Sequence, residues 1–405
     1  LMWLQPLMMI LGIVMLSVIG YVTLSTGERP FHAINRHINP VLGWGWAIAT
    51  LMANMVWAMP QFALGTAAMQ QNLGLFPGDR GAAICSTILL LTAAVIVWFY
   101  DSGGRGIKIF DAILKIMVGV VVLSFFGVVV AMSVEGDGLP WDRILAGFIP
   151  DLTLLNRIAA GFTPFLEKTS NAAYWTDQIL SSQRNKMVTA AATAVGINMT
   201  FLLPYSMLKR GWDRDFRGLA VFDLSIGLFI PFMLATSCVV IASATQFHGQ
   251  YDAGLLNEGP RTAATEKLAG SYEGALQALL EHSGSEVVLK DLEEGSARAA
   301  AIEQIDKADR QLAAMLVSRD ANALALSLEG LTGKTVAQYV FGIGVLGMAI
   351  STIIILMLIN GFTICEICNQ PSQGFLYRFG SLLPGLTGGI GALTLWSSRA
   401  KFYVV

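Results

Sequence analysis

An apolar run of about 20 residues, 187–208, is long enough to cross a membrane and contains polar side chains around a proline. Asn198 and Thr200 precede Pro204, and Tyr205 follows it. An amide oxygen, a hydroxyl and the backbone carbonyls of an interrupted helix are hard oxygen ligands, which suit Mg²⁺, Ca²⁺ or Mn²⁺. These residue types at this spacing indicate a cation site on a broken helix.

Pro204 predicts the interruption because proline has no backbone N–H and clashes with the preceding helical turn. In hydrocarbon a broken helix is tolerated only where it is buried in protein or lines a cavity. Transporters place such breaks at their substrate sites. The other interpretation is a proline-kinked helix whose polar groups bond to neighbouring helices. The residues by themselves leave both interpretations open.

A second apolar run, 41–71, contains Pro60, and we expect a second helix break there. This run has no Asp, Glu, Lys, Arg or His. Pumps and symporters move protons through carboxylates and histidines inside the membrane. The run therefore offers no candidate for carrying a proton.

The composition is that of a multi-pass membrane protein. Hydrophobic residues make up 54% of the 405 residues and charged residues only 13%, whereas soluble domains average about a quarter charged. The net charge of −2 argues against a nucleic-acid partner. No Walker loop, nucleophile elbow or HExxH sequence occurs, so we predict neither an enzyme nor a bound cofactor. Cys365 and Cys368 have CxxC spacing, but without a second ligand pair they do not predict zinc.

Eight apolar runs are long enough to cross a membrane, and they are far too long for the strands of a barrel, so the sequence predicts an all-α protein. Lys and Arg concentrate in the odd-numbered short loops, which places those loops in the cytoplasm. We take the membrane to be the inner (cytoplasmic) membrane. The runs are 3–24, 41–71, 83–100, 110–132, 187–208, 218–246, 336–361 and 380–397.

These runs predict three segments. Residues 1–250 would hold six spans with an outer loop at 133–186, residues 251–335 an extracytoplasmic helical insertion, and residues 336–405 the last spans. Within the insertion, 265–280 and 297–327 have the apolar spacing of amphipathic helices. Because apolar sequence lies at both chain ends, we expect a fragment of a longer protein.

Four short stretches, in this order and spacing, resemble the NRAMP family of divalent-metal transporters. They are 24–27 (LSTG), 146–151 (AGFIPD), 195–197 (VGI) and 341–352 (FGIGVLGMAIST). The likeness covers about 1–155, 187–250 and 336–398. It implies a LeuT-like inverted-repeat fold in which this chain lacks the first helix, with its two further metal ligands, and the last helices.

The resemblance also implies roles for residues of the polar run. The family's sixth helix carries Met-Pro-His at its break, and the Met sulfur and a backbone carbonyl three residues earlier bind the metal. The matching positions here are Leu203, Pro204 and Tyr205, and the implied carbonyl is that of Thr200. Leucine cannot ligate, and losing a soft sulfur weakens selection of Mn²⁺ and Fe²⁺ over hard ions.

The family's third helix relays protons through an Asp and a Glu. The matching positions here are Ala58 and Gln61. Together with the replaced sulfur, this pattern is closest to divergent NRAMP-related proteins that transport magnesium.

Three hypotheses follow. The first is secondary transport of divalent metal ions (Mn²⁺, Fe²⁺ or Mg²⁺) by alternating access, weakly or not coupled to protons. The second is a LeuT-fold carrier of an organic solute such as an amino acid. The third is a membrane sensor or interaction protein that works through 251–335. The predicted partners are the transported ion and the lipid bilayer; the oligomeric state stays open, and a monomer is compatible with the sequence.

Overall fold

The computed structural model is all-helical in the part of the chain that it describes, which is residues 2–99, 105–134, 138–193, 195–261, 263–285, 287–289, 296–317, 333, 336–372 and 374–394. The first eight helices are α1 (Leu4–Thr26), α2 (Pro30–His37), α3 (Pro40–Ala67), α4 (Gly78–Phe99), α5 (Arg105–Val134), α6 (Trp141–Gly147), α7 (Thr163–Leu166) and α8 (Ala172–Thr193). The others are α9 (Ile197–Lys209), α10 (Arg217–Phe247), α11 (Ala263–His282), α12 (Ser296–Glu303), α13 (Lys307–Leu316), α14 (Phe341–Ile367) and α15 (Gly374–Thr394).

Five described helical segments are long and apolar enough to cross a membrane: Leu4–Thr26, Pro40–Asn72, Arg80–Trp98, Arg214–Thr245 and Gln338–Ile367. Helices α5 and α15 cover the predicted run 110–132 and most of 380–397. Residues 318–327 of the second amphipathic segment, and 395–405, lie outside the described residues. The prediction of an all-α polytopic membrane protein is confirmed.

The run 187–208 was predicted as one span, and this is wrong. It is shared between α8 and the short apolar helix α9, which begins after Gly196. The break predicted at Pro204 is not found either, because α9 continues through that proline. Helix α3 likewise continues through Pro60. A proline removes one hydrogen bond from a helix, and packing against neighbouring helices can hold the remaining turns together.

The chain divides into two compact units. One comprises 5–127, 191–238 and 332–405, and we call it the membrane unit; the other comprises 1–4, 128–190 and 239–331, and we call it the loop unit. This division differs from the predicted one, in which 251–335 stands alone as an insertion. Both long loops of the sequence instead contribute to one folded unit.

The core of the membrane unit lies among α3, α4, α14 and α15, which pack on one another. Glycines on α15 let the helices approach closely: a Cβ on Gly388 would lie 2.6 Å from the Cβ of Ala58, and one on Gly385 would lie 3.2 Å from the sulfur of Met357. Small residues at helix contacts are the usual means of close packing in membranes. Larger residues at these positions would force α15 away from its neighbours.

A buried amide connects α14 with α15. Pro384 has no N–H to donate to the carbonyl of Gly380, one helical turn earlier. Asn360, which is fully buried, donates from Nδ2 to that carbonyl at 2.9 Å. Its Oδ1 lies 3.5 Å from Nδ2 of Asn54 on α3. A neighbouring helix thus satisfies the carbonyl that the proline leaves without a donor.

The loop unit has its own apolar core, with α8, α11 and α13 around Trp175, Leu276 and Leu312. Asp309 on α13 is buried beside it. Its carboxylate accepts from Nε1 of Trp175 at 2.8 Å, from Nδ2 of Asn171 at 2.8 Å and from the Thr169 hydroxyl. These bonds join segments that lie more than 130 residues apart in sequence within the loop unit.

Candidate functional site

Thr200 offers one oxygen to a ligand. Its hydroxyl donates to the carbonyl of Ile197 at 2.5 Å and accepts from Nε1 of Trp46 at 3.2 Å, so the side chain is already engaged. In a continuous helix the Thr200 carbonyl would accept from the N–H of residue 204, and Pro204 has none. The available oxygen at this position is therefore the backbone carbonyl.

The other predicted metal positions of α9 do not gather around that carbonyl. Asn198 uses its Oδ1 to accept from the N–H of Met199 at 2.9 Å, in the first turn of the helix. Leu203 packs into a cluster with α1, near Gly20, while the buried Tyr205 belongs to the core with α3 and α14. The four residues thus point to different neighbours and form no single ligand shell.

The positions that match the family's proton relay lie on α3. Ala58 is fully buried and faces Gly388 at the close contact described above. Gln61 is half-buried, one turn further along. Neither side chain can exchange a proton near neutral pH, and the contact at Ala58 leaves no room for a carboxylate.

A recess opens beside α9, between α2, α3 and α14. Its empty volume is about 190 Å³, part of it open to solvent. Side chains of α2, α3 and α9 form its apolar walls. It is lined by Arg29, Pro30, Phe31, Trp46, Phe201, Tyr205 and Glu366.

Glu366 is the only acidic residue among the described residues that line this recess. Its side chain is 2% exposed in the last turn of α14, and its Oε2 lies 2.6 Å from Nη1 of Arg29. Nε2 of His32 lies 3.2 Å from the other oxygen, Oε1. Glu366 was not among the site residues predicted from the sequence. A signal was present, because Glu366 is the one acidic residue in the apolar span 338–367. An ionisable group inside a membrane span indicates function.

Divalent cations often bind where several strong ligands converge. The described part of the chain holds no group of three or more His, Cys, Asp or Glu side chains placed to do so. A metal site among the described residues would therefore use at most two such side chains, and backbone oxygens, neutral side-chain oxygens or water would be its other ligands.

A comparison with known protein families shows to which class this protein belongs. The family model of natural resistance-associated macrophage protein-like proteins, Nramp, matches residues 1–280, more than half of the chain. The chain belongs to the Nramp family. No curated protein and no solved structure matches it.

Membership in Nramp implies transport of divalent metal ions across a membrane by a multi-pass protein, and it places the chain among transporters rather than enzymes. The match covers α1 to most of α11 and includes both α3 and α9. It ends before α14 and α15, where the sequence also resembled the family. The LeuT-like inverted repeat stays a prediction.

Proposed function

We propose that this Nramp protein carries hard divalent cations, with Mg²⁺ preferred over Mn²⁺ and Fe²⁺, by alternating access and without proton coupling. The membrane would be the cytoplasmic one. The substrate site would include the Thr200 carbonyl of α9, with further oxygen ligands from water.

The observation that carries this proposal is the pairing of Thr200 with Pro204 inside a continuous α9. The carbonyl lacks its helical donor, and the Trp46 indole holds the neighbouring hydroxyl at 3.2 Å. A fixed carbonyl without a donor is a suitable ligand for an ion that keeps several of its waters, as Mg²⁺ does. Leu203, in the place of the family's methionine, adds no sulfur that would favour softer ions.

The absence of proton coupling is supported by α3. Helix α3 has no ionisable residue between Pro40 and Ala67. At Ala58 the contact with Gly388 excludes a larger side chain. A proton relay needs a chain of titratable groups inside the membrane, and this helix provides none.

Uptake into proteoliposomes tests the proposal. Purified protein should take up Mg²⁺ at the same rate with and without a pH gradient. Failure to take up either Mg²⁺ or Mn²⁺ would exclude metal transport, and acceleration by an inward proton gradient would exclude uncoupled transport.

Pro204→Ala tests the site within the same assay. The new N–H would bond to the Thr200 carbonyl and withdraw it from the ion, so uptake should fall by about tenfold or more, as is common when the surroundings of a metal ligand are disturbed. Pro231→Ala is the matched control, because Pro231 lies inside α10 and frees a carbonyl there. Equal losses in both variants would show that helix flexibility, not the Thr200 carbonyl, limits uptake.

A further inference from the structure

Glu366 is a buried carboxylate whose two neighbouring basic side chains are half-exposed. Its side chain is 2% exposed, while those of Arg29 and His32 are 47% and 46% exposed. An ionisable residue buried within a membrane span is costly, and such residues mark ion routes more often than structural contacts. The Arg29 guanidinium thus reaches the carboxylate from the more exposed side of the recess.

The carboxylate is only partly satisfied. Oε2 accepts a hydrogen bond from Nη1 of Arg29 at 2.6 Å. Oε1 lies 3.2 Å from Nε2 of His32, but not in hydrogen-bonding geometry, and has no hydrogen bond among the described residues. A buried charged oxygen without a partner is destabilising. The site therefore retains capacity for a further positive charge.

Aromatic faces complete the surroundings of the guanidinium. Cζ of Arg29 lies 5.0 Å from the ring centroid of Tyr205, which stacks on Phe362 at 4.8 Å. The ring centroids of Trp46 and Phe201 are 5.2 Å apart. Ring faces attract cations. The recess therefore offers a cation both the Glu366 carboxylate and the faces of aromatic rings.

The recess also adjoins the substrate site proposed above. Trp46 lines it and donates to the hydroxyl of Thr200, and Phe201 and Tyr205 follow Thr200 on the same helix. An ion leaving the Thr200 carbonyl would therefore meet the walls of this recess within about one helical turn, roughly 5 Å.

We propose that Glu366 is a second cation site on the substrate's route, and that the Arg29 guanidinium is a tethered cation that occupies it until a hydrated divalent ion displaces it. This inference rests on the proposed transport of divalent cations. Mg²⁺ is commonly held by one or two carboxylates while it keeps most of its waters, so Glu366 suffices for a passing ion. Arg29 keeps the carboxylate neutralised when no ion is present.

Competition by Arg29 has a measurable consequence. If a site is free in only a fraction of the molecules, the apparent affinity of its ligand is reduced by that fraction. Removing the guanidinium should therefore tighten divalent-ion binding, and this gain should require the Glu366 carboxylate.

Calorimetric titration of the whole protein in detergent with MgCl₂ tests this. Arg29→Gln should raise the Mg²⁺ affinity by about tenfold, the gain expected if the site is free in about a tenth of the molecules. Arg29→Gln combined with Glu366→Gln should lose the gain. An unchanged affinity in Arg29→Gln, or a gain that survives Glu366→Gln, overturns the proposal.

Arg36→Gln is the matched control. Arg36 lies in α2, the helix that begins directly after Arg29, its N-cap residue. It pairs with Glu28 at 3.4 Å, but it is 74% exposed and does not line the recess. This variant should leave the Mg²⁺ affinity unchanged, and a tenfold gain here would show a general charge effect instead of a site. If Arg29→Gln does not fold, Arg29→Lys replaces it, with a smaller gain expected because the charge remains and the planar guanidinium is lost.

Two further outcomes separate this inference from the proposed function. Mg²⁺ uptake by the unaltered protein, together with no affinity gain in Arg29→Gln, overturns the Glu366 site alone. A gain that depends on Glu366, in a protein that transports no divalent ion, overturns transport and leaves a binding site. Titration of the same variant with guanidinium chloride identifies the cation that the site prefers. If Arg29→Gln binds guanidinium more tightly but not Mg²⁺, the assignment of the site to a divalent ion is overturned.

Discussion

Leu203 is the side chain of α9 whose replacement tests the proposed ion preference. It is an apolar residue beside the proposed carbonyl ligand, and it packs near Gly20 and Met207. Methionine has nearly the same volume and brings a thioether, so the change should cost less than about 1.5 kcal/mol of stability. The effect of the substitution should therefore be on chemistry and not on folding.

We expect Leu203→Met to raise binding of Mn²⁺ or Cd²⁺ relative to Mg²⁺, because sulfur is a soft ligand. Competition between these ions in the uptake assay measures the change. Leu202→Met is the control, since Leu202 packs against the core on another face of α9. An unchanged ion preference in Leu203→Met would argue against placing the ion beside this residue.

Ionisation of Tyr272 should lower the stability of the loop unit at alkaline pH. Burial raises the pKa of Tyr272 to about 12, and its hydroxyl has no hydrogen bond among the described residues. The fold favours the neutral phenol over the phenolate. Its contribution to stability is therefore complete below about pH 10, the pKa of an unperturbed tyrosine, and is lost as the pH rises toward 12.

Tyr272→Phe should lessen this alkaline loss. The removed contribution is about 3 kcal/mol at most, from a shift of about two pKa units. Thermal denaturation in detergent between about pH 9 and 11 compares the two proteins. The thermal midpoints of the two proteins should diverge as the pH rises, and the variant should be the more stable. Parallel curves of midpoint against pH would show that Tyr272 does not cause the alkaline loss.

At the scale of helices, prolines do not end α3, α9 or α15. Each instead leaves a carbonyl without its helical donor, and the neighbours decide what happens to it. On α15 the carbonyl of Gly380 is bonded by Asn360. On α9 the carbonyl of Thr200 likewise lacks the N–H that residue 204 would otherwise supply. The first arrangement holds two helices together, and the second supplies the ion ligand of the proposed function.

A double-mutant cycle tests the arrangement on α15. Asn360→Ala should destabilise the protein by about 1–3 kcal/mol, because the buried carbonyl of Gly380 loses its donor. Pro384→Ala supplies a backbone N–H to the same carbonyl, so Asn360→Ala should cost about 1 kcal/mol less in that background. Thermal midpoints in detergent measure both steps. Additive effects would show that the amide and the proline act independently.

At the scale of the whole molecule, the distribution of Lys and Arg predicts which ends of the spans lie in the cytoplasm. Cys368 is exposed in the seventh loop and should be cytoplasmic. A membrane-impermeant maleimide should label it only after permeabilisation. In a Cys368→Ser background, Glu303→Cys in the loop unit should be labelled in intact cells. The reverse pattern would overturn the orientation.

Much of the helical architecture was predictable from the sequence, whereas the candidate site was only partly predictable. The spans of α1, α3, α4, α10 and α14 follow from the length and hydropathy of their runs. The polar positions of α9 were recognised from their types, but the recess was not, because it joins Arg29 and Glu366 across 337 residues of sequence.

By itself the sequence determined that the protein is helical and crosses a membrane, and that it resembles Nramp. The resemblance implies that the sulfur, histidine and carboxylates of the family are replaced at 203, 205, 58 and 61. These are properties of composition and of local pattern. Only the tertiary structure decided that α9 continues through Pro204, that Leu203 and Tyr205 face different neighbours, and that two long loops share one core. Such outcomes depend on which side chains meet across long separations, because packing and hydrogen-bond partners are supplied by other helices.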